Sequence, residues 1–341
     1  MDTTSELRTL DLANNELSHG PLPGVRDAVV AELDRIARYP DPMAERLCAE
    51  IAARLDISTD RVFAGHGSSA VLEAILRLVA RPWSHVVYAA PGFTGYQVLV
   101  RAAGASPRPV PGHSGAWQPL DTLATAVGPD TCAVLLTSPH NPSGETVRAA
   151  AVADFIDRIP ATILVVLDEA YIDFDEYHRD ADTLALLAGY PNLVVTRTFS
   201  KAHGLAGLRV GYAVGDRALI GRLHATALPY EVGRLAATAA ITSLRLPEQL
   251  SRRVADVQRA RYALITLGRQ HGYPVPASYG NFVWLPTPSP HRLVTTLAAH
   301  GIAVREFPAD GIRITATSAS DVAAISHALE HRTSCTSEEL L

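Results

Sequence analysis

Three short apolar runs in the middle of this chain each end directly in a cluster of polar residues. Leu135-Leu136-Thr137 leads into Ser138-Pro139-His140-Asn141-Pro142-Ser143-Gly144. Val165-Val166-Leu167 leads into Asp168-Glu169-Ala170-Tyr171, and Val194-Val195-Thr196 into Arg197-Thr198-Phe199-Ser200-Lys201. Brief apolar runs of this kind read as strands buried on both faces of a mostly parallel sheet. The clearest are expected at Val86–Ala89, Val134–Thr137, Ile163–Leu167, Val194–Thr198 and Val210–Val214, with helical segments between them. The expected class is therefore α/β, with helices on both faces of the sheet. In open sheets of this kind ligands bind at the carboxyl ends of the strands, so the three clusters could share one pocket. Any one of them alone would more often be a structural turn.

Residues 1–24 read as an extended arm, punctuated by Gly20-Pro21-Leu22-Pro23-Gly24. Val25, Val29, Leu33 and Ile36 recur at helical spacing, and Tyr39-Pro40-Asp41-Pro42 stops that helix. A second helix is expected over Met43–Leu55. A long helix from Pro247 to about His271 leads into a smaller α+β domain, with strands near Phe282–Leu285, Ala303–Glu306 and Ile312–Thr315. Its last helix opens with Ser318-Ala319-Ser320-Asp321, which has capping-box spacing. The expected division is an arm (1–24), a large domain (25–235), a small domain (236–331) and a frayed polar tail (332–341).

Composition narrows the classes of function. Hydrophobic residues make up 48% of the 341 positions and charged residues 19%, enough for a packed core. The net charge of −5, with no basic face, argues against nucleic acid as a partner. No apolar stretch is long enough to cross a bilayer, and the first residues lack the basic and apolar regions of a signal peptide. Cys48, Cys132 and Cys335 are scattered and read as free thiols, with no metal site. A cytoplasmic protein acting on small molecules is expected.

The polar clusters suit a definite chemistry. An acid directly after a buried strand, Asp168, can pair with a pyridine nitrogen and keep the ring an electron sink, although such an Asp can also cap a turn. Tyr171 and Asn141 suit the ring's 3′-oxygen, while Asn-Pro is also a common turn former. Lys201, between Ser200 and a glycine-rich stretch, can supply an amine to attack an aldehyde, or can be surface charge. Arg209, entering the strand Val210–Val214, wants an anionic partner such as phosphate. Gly65-His66-Gly67-Ser68-Ser69-Ala70 precedes a helix and forms a candidate phosphate cup. It also matches the dinucleotide pattern G-x-G-x-x-G/A, but the next strand ends Val87-Tyr88-Ala89-Ala90-Pro91 without the acid a ribose requires.

With these residues in hand, the chain resembles the histidinol-phosphate aminotransferase group of pyridoxal 5′-phosphate (PLP) enzymes, and within it the actinobacterial aromatic (phenylalanine) aminotransferases. The resemblance covers nearly the whole chain. It is carried by Asn15-Glu16, Tyr39-Pro40-Asp41-Pro42, Gly65-His66-Gly67-Ser68, Asn141-Pro142-Ser143-Gly144, Asp168-Glu169-Ala170-Tyr171, the run Arg197 to Arg209, Asn281-Phe282-Val283-Trp284-Leu285 and Ile312-Arg313-Ile314. The run from Arg197 to Arg209 is the most specific.

The resemblance implies PLP fold type I, an aspartate-aminotransferase-like fold. It makes Lys201 the Schiff-base lysine and proton carrier, with Asp168 at the ring nitrogen and Asn141 and Tyr171 at the 3′-oxygen. Phe93 would stack on the ring, and Ser68, Ser69, Ser200 and Arg209 would bind the phosphate. Tyr39 would reach the phosphate of the neighbouring subunit in a homodimer. Arg313 would clamp the substrate's acid group, with Asn15 also on the substrate side. Departures from the group's usual pattern fall at Leu17-Ser18, Ser69-Ala70, Ser138 to Ser143, and Ala316 or Thr317. The expected activity is ping-pong amino transfer between an aromatic, hydrophobic or histidinol-phosphate-like amino compound and a 2-oxo acid. The alternatives are a PLP-dependent decarboxylase or oxidase in secondary metabolism, and a binding protein without cofactor.

Overall fold

The apolar runs form strands because their side chains find core on both sides. Val134, Leu136, Val165 and Leu167 share one core, whereas Ala133, Leu135, Leu164 and Val166 share another. The computed structural model describes residues 9–113 and 115–335. A two-residue strand β1 (Leu10–Asp11) is followed by helices α1 (Val25–Glu32) and α2 (Glu45–Leu55). An alternation then opens with β2 (Val62–Gly65), α3 (Gly67–Arg77), β3 (His85–Ala90), α4 (Tyr96–Ala102) and β4 (Ser106–Pro111). It continues through α5 (Leu120–Ala126), β5 (Thr131–Thr137), α6 (Ala149–Asp157), β6 (Leu164–Asp168), α7 (Asp180–Gly189), β7 (Leu193–Thr198) and β8 (Gly211–Gly215). Helices α8 (Arg217–Thr226), α9 (Arg234–Leu244) and α10 (Pro247–Gln270) lead to β9 (Phe282–Pro286). The described chain closes with α11 (Pro290–Ala299), β10 (Ile302–Ala303), β11 (Arg305–Phe307), β12 (Gly311–Thr315) and α12 (Ala319–Cys335).

Seven strands form one sheet in the order β2-β8-β7-β6-β5-β3-β4. From β7 to β4 all neighbours are parallel, and β8 alone runs antiparallel to both its neighbours. The chain passes from β3 outward to β4 and returns to β5 on the other side of β3, so the order reverses between β3 and β5. A crevice for a ligand is expected at that switch point. Residues of α2, α6, α7 and α9 cover one face, and residues of α3, α4 and α8 the other. The dinucleotide-binding alternative does not survive this order. Strands joined by its helix should lie side by side, but β8, β7, β6 and β5 separate β2 from β3.

Several boundaries differ from expectation. Arg209 does not enter a strand: β8 starts at Gly211, and Arg209 sits before it in the left-handed region, φ 53°. The phosphate cup does not precede its helix, because α3 begins inside the cup at Gly67. The expected strand Ala303–Glu306 is split, with β10 pairing β1 of the arm and β11 pairing β12. Strand β4, Ser-Pro-Arg-Pro-Val-Pro, carries no legible strand signal because proline is a poor strand former. It is tolerated at the sheet edge: Ser106 and Gly112 donate to Ser84 and Ala90, so the alternate prolines fall on the outer side. The Ser318 Oγ does accept from the Asp321 amide, 3.3 Å, but the Asp321 carboxylate accepts from Thr317 rather than reaching back to the cap. Helix α12 runs on through Cys335, into the expected tail, and residues 1–8 and 336–341 lie outside the described part.

The three-stranded sheet β11-β12-β9 packs with α10, α11 and α12 around its own core. Helix α10 is tied to the segment that follows β6 by a fully buried arginine. Arg261 donates to the carbonyls of Phe174 (3.0 Å) and Gly280 (3.2 Å) and pairs with Glu176 at 2.8 Å. A buried guanidinium needs every such partner. This one anchors the turn that follows Tyr171.

Candidate active site

Asp168 ends β6 with its side chain 9% exposed. Its Oδ2 accepts a hydrogen bond from the Tyr96 hydroxyl at 2.7 Å, and its Oδ1 accepts from the Ala170 amide (3.2 Å) and the Thr196 hydroxyl (3.4 Å). Burial pushes its pKa above the usual carboxylate value, against the pull of these donors. No cationic side chain among the described residues pairs with it. The next residue shows the contrast. Glu169 turns the other way, pairs with Arg197 at 2.7 Å and accepts from Thr183 at 2.9 Å. Of two adjacent carboxylates, one is neutralised inside the fold and the other faces the cavity without a counter-charge.

Nine of the ten residues expected at the cofactor line a single cavity of about 210 Å³: Ser68, Ser69, Phe93, Asn141, Asp168, Tyr171, Ser200, Lys201 and Arg209. They come from the ends of β3, β5, β6 and β7, the start of α3 and the approach to the antiparallel β8, which is what the sheet order delivers to one edge. Lys201 Nζ donates to the backbone carbonyls of Asn14 and Asn15, both at 3.1 Å. Tyr171 Oη accepts from Asn15 Nδ2 (2.9 Å) and Asn141 Nδ2 (3.4 Å). Asn141 Oδ1 in turn accepts from Arg313 at 2.6 Å. Asn15 and Arg313 thus stand behind Tyr171 and Asn141 in one connected network. Asn15 is fully buried and Arg313 is 6% exposed.

Arg313 is the second unbalanced charge. Its other partners are the Ala13 carbonyl and, across 5.6 Å, the Phe282 ring, and its Nε is buried without a hydrogen-bond acceptor. No carboxylate among the described residues pairs with it. Burial lowers its pKa to about 10, which leaves it charged at neutral pH. Neither Arg313 nor Asn15 is in the cavity lining itself, whereas Arg209 is, and it donates to Ser200 Oγ (3.4 Å) and the Ala206 carbonyl (3.0 Å). Its guanidinium lies where a Cβ on Gly67 would stand only 2.5 Å away, and Gly67 has φ +80°. Glycine is therefore required there for the guanidinium to close on the first amides of α3. Tyr39 is the tenth expected residue, and it is not in the cavity. It is 79% exposed and stacks on Tyr230 at 4.7 Å.

The class I and II aminotransferase model matches residues 8–331, which takes in every one of these groups. The chain belongs to that family. Among its relatives, the aromatic amino acid aminotransferase of Corynebacterium diphtheriae is 38% identical over 316 residues, spanning 90% of this chain and 89% of that one. The histidinol-phosphate aminotransferase of Sinorhizobium meliloti, solved in complex with pyridoxal-5′-phosphate, superposes with a TM-score of 0.87 at 27% identity, over 94% of this chain and 89% of that one. The L-threonine-O-3-phosphate decarboxylase of Porphyromonas gingivalis superposes with a TM-score of 0.80 at 24% identity, over 95% and 99%, a likeness of fold alone. The fold is the aspartate-aminotransferase-like PLP fold type I.

The aminotransferase cavity fits PLP on its own chemistry. A buried carboxylate without a cation suits a protonated ring nitrogen, and Arg209 with helix amides and three serine hydroxyls suits a phosphate. Two features were not among those expected from the sequence. Tyr96 lies three positions after Phe93, on the first turn of α4, a spacing that puts both rings on one side of the helix start. Lys201 is the only lysine among the 30 lysine and arginine residues of the chain, a plain count that singles it out.

Proposed function

We propose that this aminotransferase uses PLP to move an amino group between an aromatic or hydrophobic amino acid and a 2-oxo acid, in two half-reactions. The observation that carries the reading is a pair of buried charges without counter-charges among the described residues: Asp168 in the cavity lining, and Arg313 directly behind the lining residue Asn141. PLP, when bound, supplies an aldehyde that condenses with amines and a ring that withdraws electrons from the substrate α-carbon. Lys201 Nζ provides the amine that holds the aldehyde and then carries the proton to and from the α-carbon. Asp168 would pair with the ring nitrogen and keep it protonated, and Tyr171 and Asn141 would face the 3′-oxygen. Phe93 would lie against the ring, while Ser68, Ser69, Ser200 and Arg209 would hold the phosphate. Arg313 takes the carboxylate common to donor and acceptor, with its free Nε adding a second bond. Leu72 and Phe93 give the cavity an apolar side, which supports the aromatic or hydrophobic donor class, as do the names of the curated relatives. A panel of amino donors with 2-oxoglutarate tests the reading. Aromatic donors should yield keto acids at the highest kcat/KM. Release of carbon dioxide without keto acid would favour the decarboxylase alternative.

The working unit is a two-fold dimer in this proposal. Tyr39 faces away from its own cavity, and Val30, Leu33 and Ile36, spaced by three, are exposed on the same helical run. Contact with a second copy would cover them and bring Tyr39 to the neighbour's phosphate. Tyr39→Phe should then weaken cofactor retention about tenfold, the value of one hydrogen bond to a charged group. Full activity from a monomer, measured by light scattering alongside assay, would contradict this.

A further inference from the structure

We propose that Tyr96 is a positioning residue that holds the Asp168 carboxylate ionised and aimed at the cavity, with Thr137 as its own donor. The proposal rests on the PLP reading of the site. Tyr96 is 2% exposed, and its ring packs edge-on against Tyr88 (5.7 Å) and Phe93 (5.3 Å). A phenylalanine would serve that packing equally well. The hydroxyl is what requires a reason, because a buried O–H must find partners. It lies 2.7 Å from Asp168 Oδ2 and 2.8 Å from Thr137 Oγ1. A phenol has one proton, and the charged oxygen is the stronger acceptor, so the proton goes to Asp168 and Thr137 must donate to Tyr96. The result is a one-way chain, Thr137 to Tyr96 to Asp168, which brings donors from β5 and α4 onto an acid at the end of β6.

The groups facing the carboxylate are few. Thr196 approaches from β7, Tyr171 follows in the next turn, Lys201 stands at the cavity, and Glu169 is engaged by Arg197. Burial drives Asp168 towards its neutral form, which cannot balance a ring cation, and the Tyr96 bond opposes that drive. Burial and the neighbouring carboxylate also push the Tyr96 phenol well above its usual pKa, so its proton stays in place throughout the working range.

The sign follows. Asp168 has a raised pKa in the folded protein, so its ionised form is lost as pH falls through that raised value, and cofactor binding that needs the charge weakens in the same window. Removing the Tyr96 donor raises the value further. The holoenzyme should be passed through gel filtration at a series of pH values and its visible absorption band measured. In Tyr96→Phe the acid limb of cofactor retention should move up by about one to two pH units, the equivalent of one hydrogen bond to a charge. Thr137→Val, which keeps shape and leaves Tyr96 intact, should move it the same way by less. An unmoved midpoint, or a loss uniform in pH, would overturn the proposal and leave Tyr96 as packing. If the wild-type protein never carries the band, it is the PLP reading that fails.

Discussion

Lys201→Ala should reduce turnover by about a thousandfold or more while leaving a folded protein. In the proposed mechanism the substitution removes both the amine that would hold the cofactor and the group that would move the α-proton, and each role alone is worth orders of magnitude. The fold should tolerate the change, because the contacts of Lys201 Nζ among the described residues are the carbonyls of Asn14 and Asn15 and the face of Tyr171 at 5.6 Å. As the single lysine of the chain, Lys201 also makes the attachment site easy to read. A lysine-specific protease should cut the denatured chain once, after Lys201. Borohydride reduction of the holoenzyme should block that cut by fixing the cofactor on Nζ. A cut that persists after reduction, or an Ala variant with normal turnover, would sink the assignment.

Arg313→Lys should raise KM about thirtyfold or more in both half-reactions, with the cofactor band retained. The estimate corresponds to about 2 kcal/mol, the low end for truncating one side of a desolvated charge pair. Lysine keeps the charge and can still donate to Asn141, but it cannot reproduce the planar two-bond fork that meets a carboxylate. A change in KM with little change in kcat is the mark of an interaction made equally in ground and transition states. Steady-state kinetics with donor and acceptor varied separately decide the matter. A defect with one substrate only would mean that Arg313 reads a side-chain anion, and no defect would make it a strand residue whose role is to hold Asn141.

Asp168, Asn141, Tyr171 and Lys201 were legible as one site before any coordinates. Each lies at or within four residues of the end of a strand that is apolar on both faces, and parallel strands all end on the same edge of their sheet. The phosphate cup was legible in the same way, from glycines and serines at a helix start, although its boundary was not, since α3 begins within it. Arg313, Asn15, Phe93 and Tyr39 depended on the family resemblance, because nothing local separates an arginine on a short strand from an ordinary polar alternation.

What the sequence determined by itself was therefore local: strands from runs buried on both faces, the polar clusters at their ends, and the single lysine among them. The tertiary structure decided which distant groups meet those clusters. Tyr96 reaches Asp168 across 72 positions, Asn15 reaches Tyr171 across 156, and Arg313 reaches Asn141 across 172. Such contacts depend on the order of strands in the sheet and on how the smaller sheet packs, which no window of neighbouring residues encodes. The charge balance of the site is decided there too. Glu169 is neutralised because Arg197 lies on the adjacent strand, and Asp168, one residue away, faces the cavity with no cationic partner among the described residues.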